Sequence, residues 1–329
     1  MVRDEVLRAL EAHRGKLVSG GALARELGVS RTAVWKAITT LREAGFPIES
    51  VFGEGYYLSE TSDALSEAGI RLGLNTQTLG NDLLVFSEID STNNYIKQHA
   101  ASLSNGCTVI ADSQTAGRGR LGRSFFSPPG SGIYISILLR PELPLEQINM
   151  ITVGAAVAMC EAISQTAGFE PDLKWVNDVL KDGKKLCGIL TEAAVEAETG
   201  SLSYAVVGVG INIRRPSEGL PEEIQDIAGF IEDYAAYPLH RNAFISAFLN
   251  QMEQCYQLIC DGDIAALIQR YRSYIHFLGE PITVIRSGER TPATAVAIDD
   301  RGHLVIEQNG EQSTLFAGEI SIRLPEQKQ

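Results

Sequence analysis

At 329 residues and 44% hydrophobic side chains, the chain is long enough for two or three packed domains, which excludes a peptide-like or largely disordered protein. The formal charge of −13 argues against non-specific nucleic-acid binding by the whole molecule, but residues 1–62 carry eight basic and eight acidic side chains, so the acidity lies beyond them. Five scattered cysteines without Cys-x-x-Cys spacing suggest neither a disulfide framework nor a zinc site and fit buried apolar side chains in a reducing compartment. No apolar run reaches the roughly 18 residues of a membrane helix. Asp4, Glu5 and Glu11 do not suit a signal peptide, so a cytoplasmic protein without membrane contact is expected.

Val6, Leu7 and Leu10 have helical spacing, and Ser19 precedes a second short helix with Leu23 and Leu27 that Gly28 ends. Ser30 caps a third helix whose inner face is Val34, Ile38 and Leu41, stopped by Gly45. Two strand-like pieces, Ile48 to Phe52 and Tyr56 to Leu58, are joined by Gly53-Glu54-Gly55, completing a helix-turn-helix with a wing. Ser30, Arg31, Thr32 and Lys36 are the candidates to contact DNA on the third helix, and Trp35 reads as core or interface packing. The polar stretch Thr61 to Glu67 suits a linker.

Beyond it, Leu83 to Glu88 reads as a strand and Thr92 to Ala100 as a helix. Strand patterns at Thr108 to Ala111, Gly132 to Leu139, Leu173 to Val176, Lys185 to Thr191 and Tyr204 to Ile213 surround a long apolar helix near Ile151 to Gln165. An Asp182-Gly183 hairpin turn places Lys185 on a strand and leaves Lys184 facing the other way. An α+β domain on a mixed sheet is the simplest assembly. After Tyr271, the segments Ile282 to Arg286, Thr294 to Ile298, His303 to Glu307 and Gln312 to Ala317, with turns at Asp299 to Gly302 and Gln308 to Glu311, make a small barrel.

The most informative stretch is Gln114 to Arg123, Gln-Thr-Ala-Gly-Arg-Gly-Arg-Leu-Gly-Arg. Its glycines allow tight bends and close approach, and Arg118, Arg120 and Arg123 supply planar cationic donors suited to carboxylate and phosphate. Arg-Gly runs in disordered nucleic-acid-binding tails are repetitive, whereas this one occurs once, between two strand-like segments, and reads as a folded anion-binding loop. The Gly-x-x-x-x-Gly-Lys-Ser/Thr loop of nucleotide hydrolases does not occur.

With Lys174-Trp175-Val176-Asn177-Asp178 and Lys185-Leu186-Cys187-Gly188-Ile189-Leu190, this loop resembles the catalytic domain of biotin-protein ligases, which carry Gly-Arg-Gly-Arg-x-Gly-Arg, Lys-Trp-Pro-Asn-Asp and a Lys-x-x-Gly-Ile-Leu strand. Val176 stands where that family usually has proline, which removes a backbone restraint but no donor or charge. With the winged module ahead and the β-rich module behind, the similarity extends over essentially the whole chain, to the bifunctional biotin-protein ligases and biotin operon repressors of bacteria. It implies a winged helix-turn-helix DNA-binding domain at 1–62, a mixed-sheet ligase domain at 66–275 and a small SH3-like β-barrel at 278–326.

The resemblance also implies substrates and roles. Ser91, Thr92, Asn93 and Gln114 offer the donors and acceptors that the ureido head of biotin needs, although Asp90-Ser91-Thr92-Asn93 read alone is a helix cap. Arg118, Gly119, Arg120, Lys185 and Gly188 complete the implied biotin site, and Arg118, Arg120, Arg123, Asn177, Lys185 and Asn212 the ATP site. Gly208 and Gly210 read either as room for adenine beside Asn212 or as a place of close strand packing, and the loop Arg214 to Asp226 as a cover for nucleotide. Bringing a carboxylate to the α-phosphate of ATP sets two anions against each other, about 4 kcal/mol at 4 Å and an effective dielectric of 20, so cations must offset it. Lys185 and Arg120 are the implied catalytic cations, and Asp178 the group that orients an acceptor amine. Mg²⁺ is expected with ATP, without a metal-ligand set in the sequence. The implied partners are the biotin carboxyl carrier domain of acetyl-CoA carboxylase or of another biotin-dependent carboxylase, operator DNA, and a second copy of the chain in a homodimer promoted by biotinyl-adenylate. The competing readings are a lipoate-type ligase and a ligand-sensing transcription factor without transfer activity.

Overall fold

The computed structural model describes residues 2–196, 198, 201–286, 288–316 and 320–323. Contacts divide the chain into one unit of Met1–Asn75 with His240–Ser246 and another of Thr76–Leu239 with Ala247–Gln329.

In the first unit, helix α1 (Val2–Ala12) buries Val6, Leu7 and Leu10 on one stripe. Helix α2 (Gly20–Glu26) is capped by Ser19, whose hydroxyl accepts from Ala22 N–H, and α3 (Arg31–Glu43) by Ser30, which accepts from Ala33 N–H. The apolar residues Val34, Ala37, Ile38 and Leu41 of α3 pack into the same core as Leu10 and Leu23. Strands β1 (Ile48–Val51) and β2 (Gly55–Leu58) form the expected antiparallel wing.

Two readings are corrected in this unit. Trp35 is 56% exposed and so is no core residue, because one residue beyond Val34 turns the side chain about 100° away from the buried stripe. The polar stretch 61–67 is not a solvated linker, for Ser62 and Ser66 are buried and Ser66 caps a further helix, α4 (Glu67–Gly73). Polarity there serves internal partners: Ser66 Oγ donates to Glu11 Oε1 at 3.0 Å, and Asp63 pairs with Arg241 at 2.7 Å.

The second unit is built on a mixed sheet of β3 (Leu83–Ile89), β4 (Thr108–Gln114), β5 (Gly132–Leu139), β6 (Asp172–Lys174), β7 (Asp178–Lys181), β8 (Lys184–Val195) and β9 (Leu202–Asn212). Their order is β3-β4-β5-β9-β8-β7-β6; only β3 and β4 run parallel, and every other neighbouring pair is antiparallel. Helix α5 (Thr92–His99) packs over β4, β5 and β9, and helix α6 (Asn149–Ala167) over β6 to β9. Leu145–Ala167 has the length and mean hydropathy of a membrane span, although Glu146, Gln147, Asn149, Glu161 and Gln165 break it into shorter apolar runs. Its apolar window is 78% buried, as befits a core helix that is apolar on all sides.

The strand expected to reach Val176 ends at Lys174, and the Trp175–Val176 peptide bond is cis. The β7–β8 connection is the expected two-residue turn: Asp182 and Gly183 both take positive φ, 48° and 74°, the type I′ geometry that matches strand twist. Helices α7 (Arg241–Cys260) and α8 (Ile264–Ser273), which the sequence reading did not delimit, complete this part, and Cys260 is exposed, unlike the four other cysteines.

The β-rich end is an antiparallel sheet of β10 (Pro281–Arg286), β11 (Glu289–Ile298), β12 (Leu304–Gln308), β13 (Glu311–Leu315) and β14 (Ile320–Arg323), in the order β13-β12-β11-β10-β14. Ala317, the expected end of one strand, and residues 324–326 of the expected barrel lie outside the described residues. The turn after β11 reaches the ligase sheet: Gly302 O accepts from Trp175 Nε1 at 3.0 Å, and Arg301 O from Asn149 Nδ2 at 3.2 Å. The backbone leading to Asn177 and Asp178 is thereby tied to this module.

Candidate active site

The carboxyl end of β4, the amino end of α5 and the middle of β8 and β9 converge on one cleft in the second unit. Ser91, Thr92 and Asn93 line it from the start of α5 and Gln114 from the end of β4. Arg118, Gly119 and Arg120 line it from the glycine-arginine loop, Asn177 from the turn before β7, and Lys185 and Gly188 from β8. The helix-cap reading of Ser91 holds, for its hydroxyl accepts from Asn94 N–H, and the residue also lines the cleft.

A second cleft of about 320 Å³ adjoins the first and shares Lys185 and Phe125 with it. Arg123 and Asn212 sit here and not in the first cleft, together with Leu220, Glu223 and Ile224 of the segment expected to cover nucleotide. The implied ATP residues therefore span two neighbouring hollows with Lys185 between them. Asn212 Nδ2 donates to Lys185 O at 3.0 Å, which fixes the strand position of the lysine.

The cations are individually held. Lys185 Nζ lies 2.6 Å from Asp178 Oδ1, and Arg120 donates to Asn177 Oδ1 at 2.8 Å, while Asn177 Nδ2 donates to Ile189 O at 2.8 Å. Burial lowers the pKa of Arg120, opposed by the charge of Asp178, and a guanidinium so far above neutrality stays charged. Arg118 reaches Asn94 Oδ1 at 3.0 Å and stands 3.6 Å from Glu192. Gly119 N–H donates to Arg123 O at 2.7 Å, folding the loop back on itself.

The polar end of the cleft is a connected network. Thr92 N–H donates to Gln114 Oε1 at 2.9 Å, and Gln114 Nε2 to Ser127 Oγ at 3.1 Å. Ser136 Oγ lies 2.5 Å from Asn93 Oδ1 and 2.7 Å from Thr92 Oγ1. The room left by Gly208 and Gly210, read as space for adenine, is filled from within: a Cβ at Gly208 would stand 2.2 Å from Asn93 Oδ1, and one at Gly210 would stand 2.6 Å from the Phe125 ring. Gly208→Ala is therefore expected to displace Asn93 and raise KM for the ligand of this cleft by about tenfold with little change in kcat, as steady-state kinetics would show.

Phe125, Ser136, Asn94 and Glu192 belong to this arrangement and were missed. An aromatic directly after the arginine loop was a usable signal for Phe125. Glu192 continues the alternation Gly188, Leu190, Glu192 along β8 and was reachable by extending the strand. Ser136 sits in an otherwise apolar buried strand, with nothing in the sequence to distinguish it.

Away from this site, in the first unit, Ser30, Arg31, Thr32 and Lys36 are all exposed on the first turns of α3. Ser30 is spent on the cap, so its hydroxyl oxygen is already engaged. Arg42 donates to Ile48 O at 2.7 Å and to Ser50 Oγ at 2.5 Å, tying the wing to α3.

Comparison with known proteins places these features in context. Residues 85–212 match the Biotin/lipoate A/B protein ligase family, residues 2–57 an HTH domain and residues 277–323 the Biotin protein ligase C terminal domain. The chain is 33% identical over 326 residues to the bifunctional ligase/repressor BirA of Bacillus subtilis, covering 98% of both, and 33% identical over 315 residues to that of Escherichia coli, covering 95% of both. The biotin protein ligase from Aquifex aeolicus in complex with biotin and ATP superposes with a TM-score of 0.65 at 27% identity, over 74% of this chain and 100% of that one.

Proposed function

Since the chain belongs to the family of bifunctional biotin ligase/repressors, we propose that it joins biotin to ATP as biotinyl-5′-adenylate, transfers the biotinyl group to a lysine of a carrier domain, and represses biotin genes with the adenylate as co-repressor. The observation that carries the ligase half is the meeting of Lys185, Arg118 and Arg120 with the Thr92–Asn93–Gln114 network in one cleft. Neutral polar groups suit a ureido head, and cations suit the carboxylate at the other end of the same molecule.

In the first step a biotin carboxylate oxygen attacks the α-phosphorus of ATP and pyrophosphate leaves with the electron pair of the broken P–O bond. Arg118 and Arg120 offset the repulsion between carboxylate and phosphate, and Lys185, released from Asp178, stabilises charge as it develops on the phosphoryl oxygens. Arg123, in the neighbouring cleft with Asn212, holds the outgoing pyrophosphate, and Asn177 keeps Arg120 in place. In the second step a neutral lysine amine attacks the acyl carbon, an amide bond forms, AMP leaves and the amine loses its proton. Asp178 orients that amine once Lys185 has turned to the phosphate. Among the described residues no group of three or more His, Cys, Asp or Glu side chains is arranged to hold a metal ion. Mg²⁺ arrives with ATP in this reading, and an ion held mainly by phosphate oxygens and water needs no such group.

The domain division proposed with this chemistry is 1–62 for DNA binding, 66–275 for ligation and 278–326 for the small carboxyl-terminal module, in a cytoplasmic protein. The acceptor is the biotin carboxyl carrier domain of acetyl-CoA carboxylase or of a related carboxylase. Operator DNA is read from Arg31, Thr32 and Lys36, with Ser30 capping the helix, and adenylate promotes the homodimer. Intact mass after incubation with biotin, Mg·ATP and a carrier domain tests the ligase: one added biotinyl group is expected, and lipoate should not compete. Failure to modify the carrier while ligand-dependent operator binding persists would leave only the transcription factor.

Arg120→Ala is expected to weaken retention of the adenylate, because a partly buried cation beside the phosphate is lost. Release of biotinyl-adenylate from the preloaded enzyme should accelerate by about tenfold or more, with indiscriminate biotinylation of bystander lysines. An unchanged release rate would remove Arg120 from that role.

A further inference from the structure

The chain has two tryptophans, in opposite settings. Trp175 is 3% exposed, and its Nε1 donates to Gly302 O at 3.0 Å. Trp35 is 56% exposed, and among the described residues its indole takes part in no hydrogen bond and no ring contact. So large an apolar ring is ordinarily buried for the most part, with its N–H on an acceptor. The chemistry and the DNA contacts assigned above leave this side chain without a task.

Its place on α3 shows what suits it as a partner. Residues three and four apart on a helix share a face, so Arg31 and Thr32 stand one turn before Trp35 and Thr39 one turn after it. Arg31, Thr32, Trp35 and Lys36 are exposed and Thr39 is half-buried, whereas Val34, Ala37, Ile38 and Leu41 face the core. Residues 31–42 include three cations and no carboxylate, although residues 1–62 as a whole are balanced. The outward face of α3 is thus complementary to a polyanion. A second copy meeting it across a two-fold axis would bring Arg31 and Lys36 against like charges.

We propose that Trp35 reads a thymine in the major groove of the operator. The inference rests on the repressor reading, in which α3 enters the groove, and adds to Arg31, Thr32 and Lys36 a residue that selects a base. Indole offers one N–H donor, no acceptor and a broad apolar ring. In the major groove only thymine presents a methyl group, with the O4 acceptor beside it. Cytosine and adenine present amino donors there, which an indole N–H does not satisfy, and guanine has acceptors but no methyl group for the ring. An uncharged Trp35 neutralises no phosphate, so it contributes to sequence preference and not to the salt-dependent attraction.

The test starts from a duplex selected by the full-length wild type out of a random-sequence pool, in the presence of the non-hydrolysable biotinyl-adenylate analogue. Affinity is measured on that duplex and on copies in which thymine is replaced by deoxyuridine, which lacks only the methyl group, at one position per half-site at a time. One such pair is expected to weaken wild-type binding by about tenfold or more, since each methyl group taken out of apolar contact costs about fourfold and two half-sites are altered. Trp35→Ala is expected to bind the parent duplex less tightly and to be indifferent to deoxyuridine at that pair alone, with its salt dependence unchanged. The proposal is overturned if the wild type is indifferent to every such pair, if Trp35→Ala keeps the wild-type affinity, or if it weakens binding by one factor on all duplexes, as lost self-association or lost structure would. Should Trp35→Ala not fold, as judged by its thermal melt, Trp35→Gln decides in its place, and thymine sensitivity retained at that pair overturns the proposal. A wild type that selects no duplex would sink the repressor reading and this inference with it, while the ligase reading stands.

Discussion

Lys185→Ala is expected to cut adenylate formation by about a hundredfold or more while leaving the fold intact. The ammonium is the one cation shared by the two adjoining clefts, which is where an acyl-phosphate must form if biotin occupies one and the nucleotide the other. Loss of a single group that stabilises charge developing in a transition state typically costs about 10²–10³ in rate. Stability should change little, since the side chain is part-exposed and its ion pair with Asp178 forms at the cleft surface, where such pairs contribute weakly. Pyrophosphate release near the wild-type rate, with an unchanged melting temperature, would remove Lys185 from the chemistry. Transfer from chemically made biotinyl-adenylate should be affected less, because the phosphoryl charge has by then already developed.

The second large effect is regulatory. A non-hydrolysable biotinyl-adenylate analogue is expected to raise both self-association and operator affinity, the latter by about tenfold or more, which is the usual size of a coupling between sites. A small winged domain balanced in charge, with Arg31, Thr32 and Lys36 exposed on one helix, makes few phosphate contacts, and a dimer combines two half-sites. The switch we propose is the arginine loop: Arg118 is exposed and held by Asn94 and Glu192, and an adenylate that drew it inward would reorder the loop surface. Sedimentation and operator titration with no ligand, with biotin and with the analogue decide the matter. Equal association and equal affinity in all three would defeat the regulatory half while leaving the ligase untouched.

Local signals were enough for several parts of this molecule. Ser19 and Ser30 announced two helix starts because capping is decided within four residues, and Asp182-Gly183 announced its hairpin because the type I′ turn needs positive φ at two adjacent positions. The spacing of Val6, Leu7 and Leu10 and of Val34, Ile38 and Leu41 likewise placed buried faces correctly. Motif similarity alone groups Ser91, Thr92, Asn93, Gln114, Arg118, Arg120, Asn177, Lys185 and Gly188, and all of them line one cleft.

Other features depend on residues far apart in the chain, and for these the sequence carries no periodicity. The segment 61–67 reads as solvated until Asp63 and Ser66 meet Arg241 and Glu11. Trp35, read as core or interface packing, leaves the core only because the orientation of α3 turns it outward. Gly208 and Gly210 read either as open space or as close packing until Asn93 and Phe125 arrive from other elements and decide for packing. The polar network of Glu192, Asn93, Ser136 and Thr92 joins β8, α5 and β5, and a hydrogen bond has no partner until both of its ends are in place. Composition, caps, turns and motifs are properties of neighbouring residues and survive in the sequence; burial, partner choice and hydrogen-bond polarity are properties of distant residues brought within a few ångströms, and only the folded chain decides them.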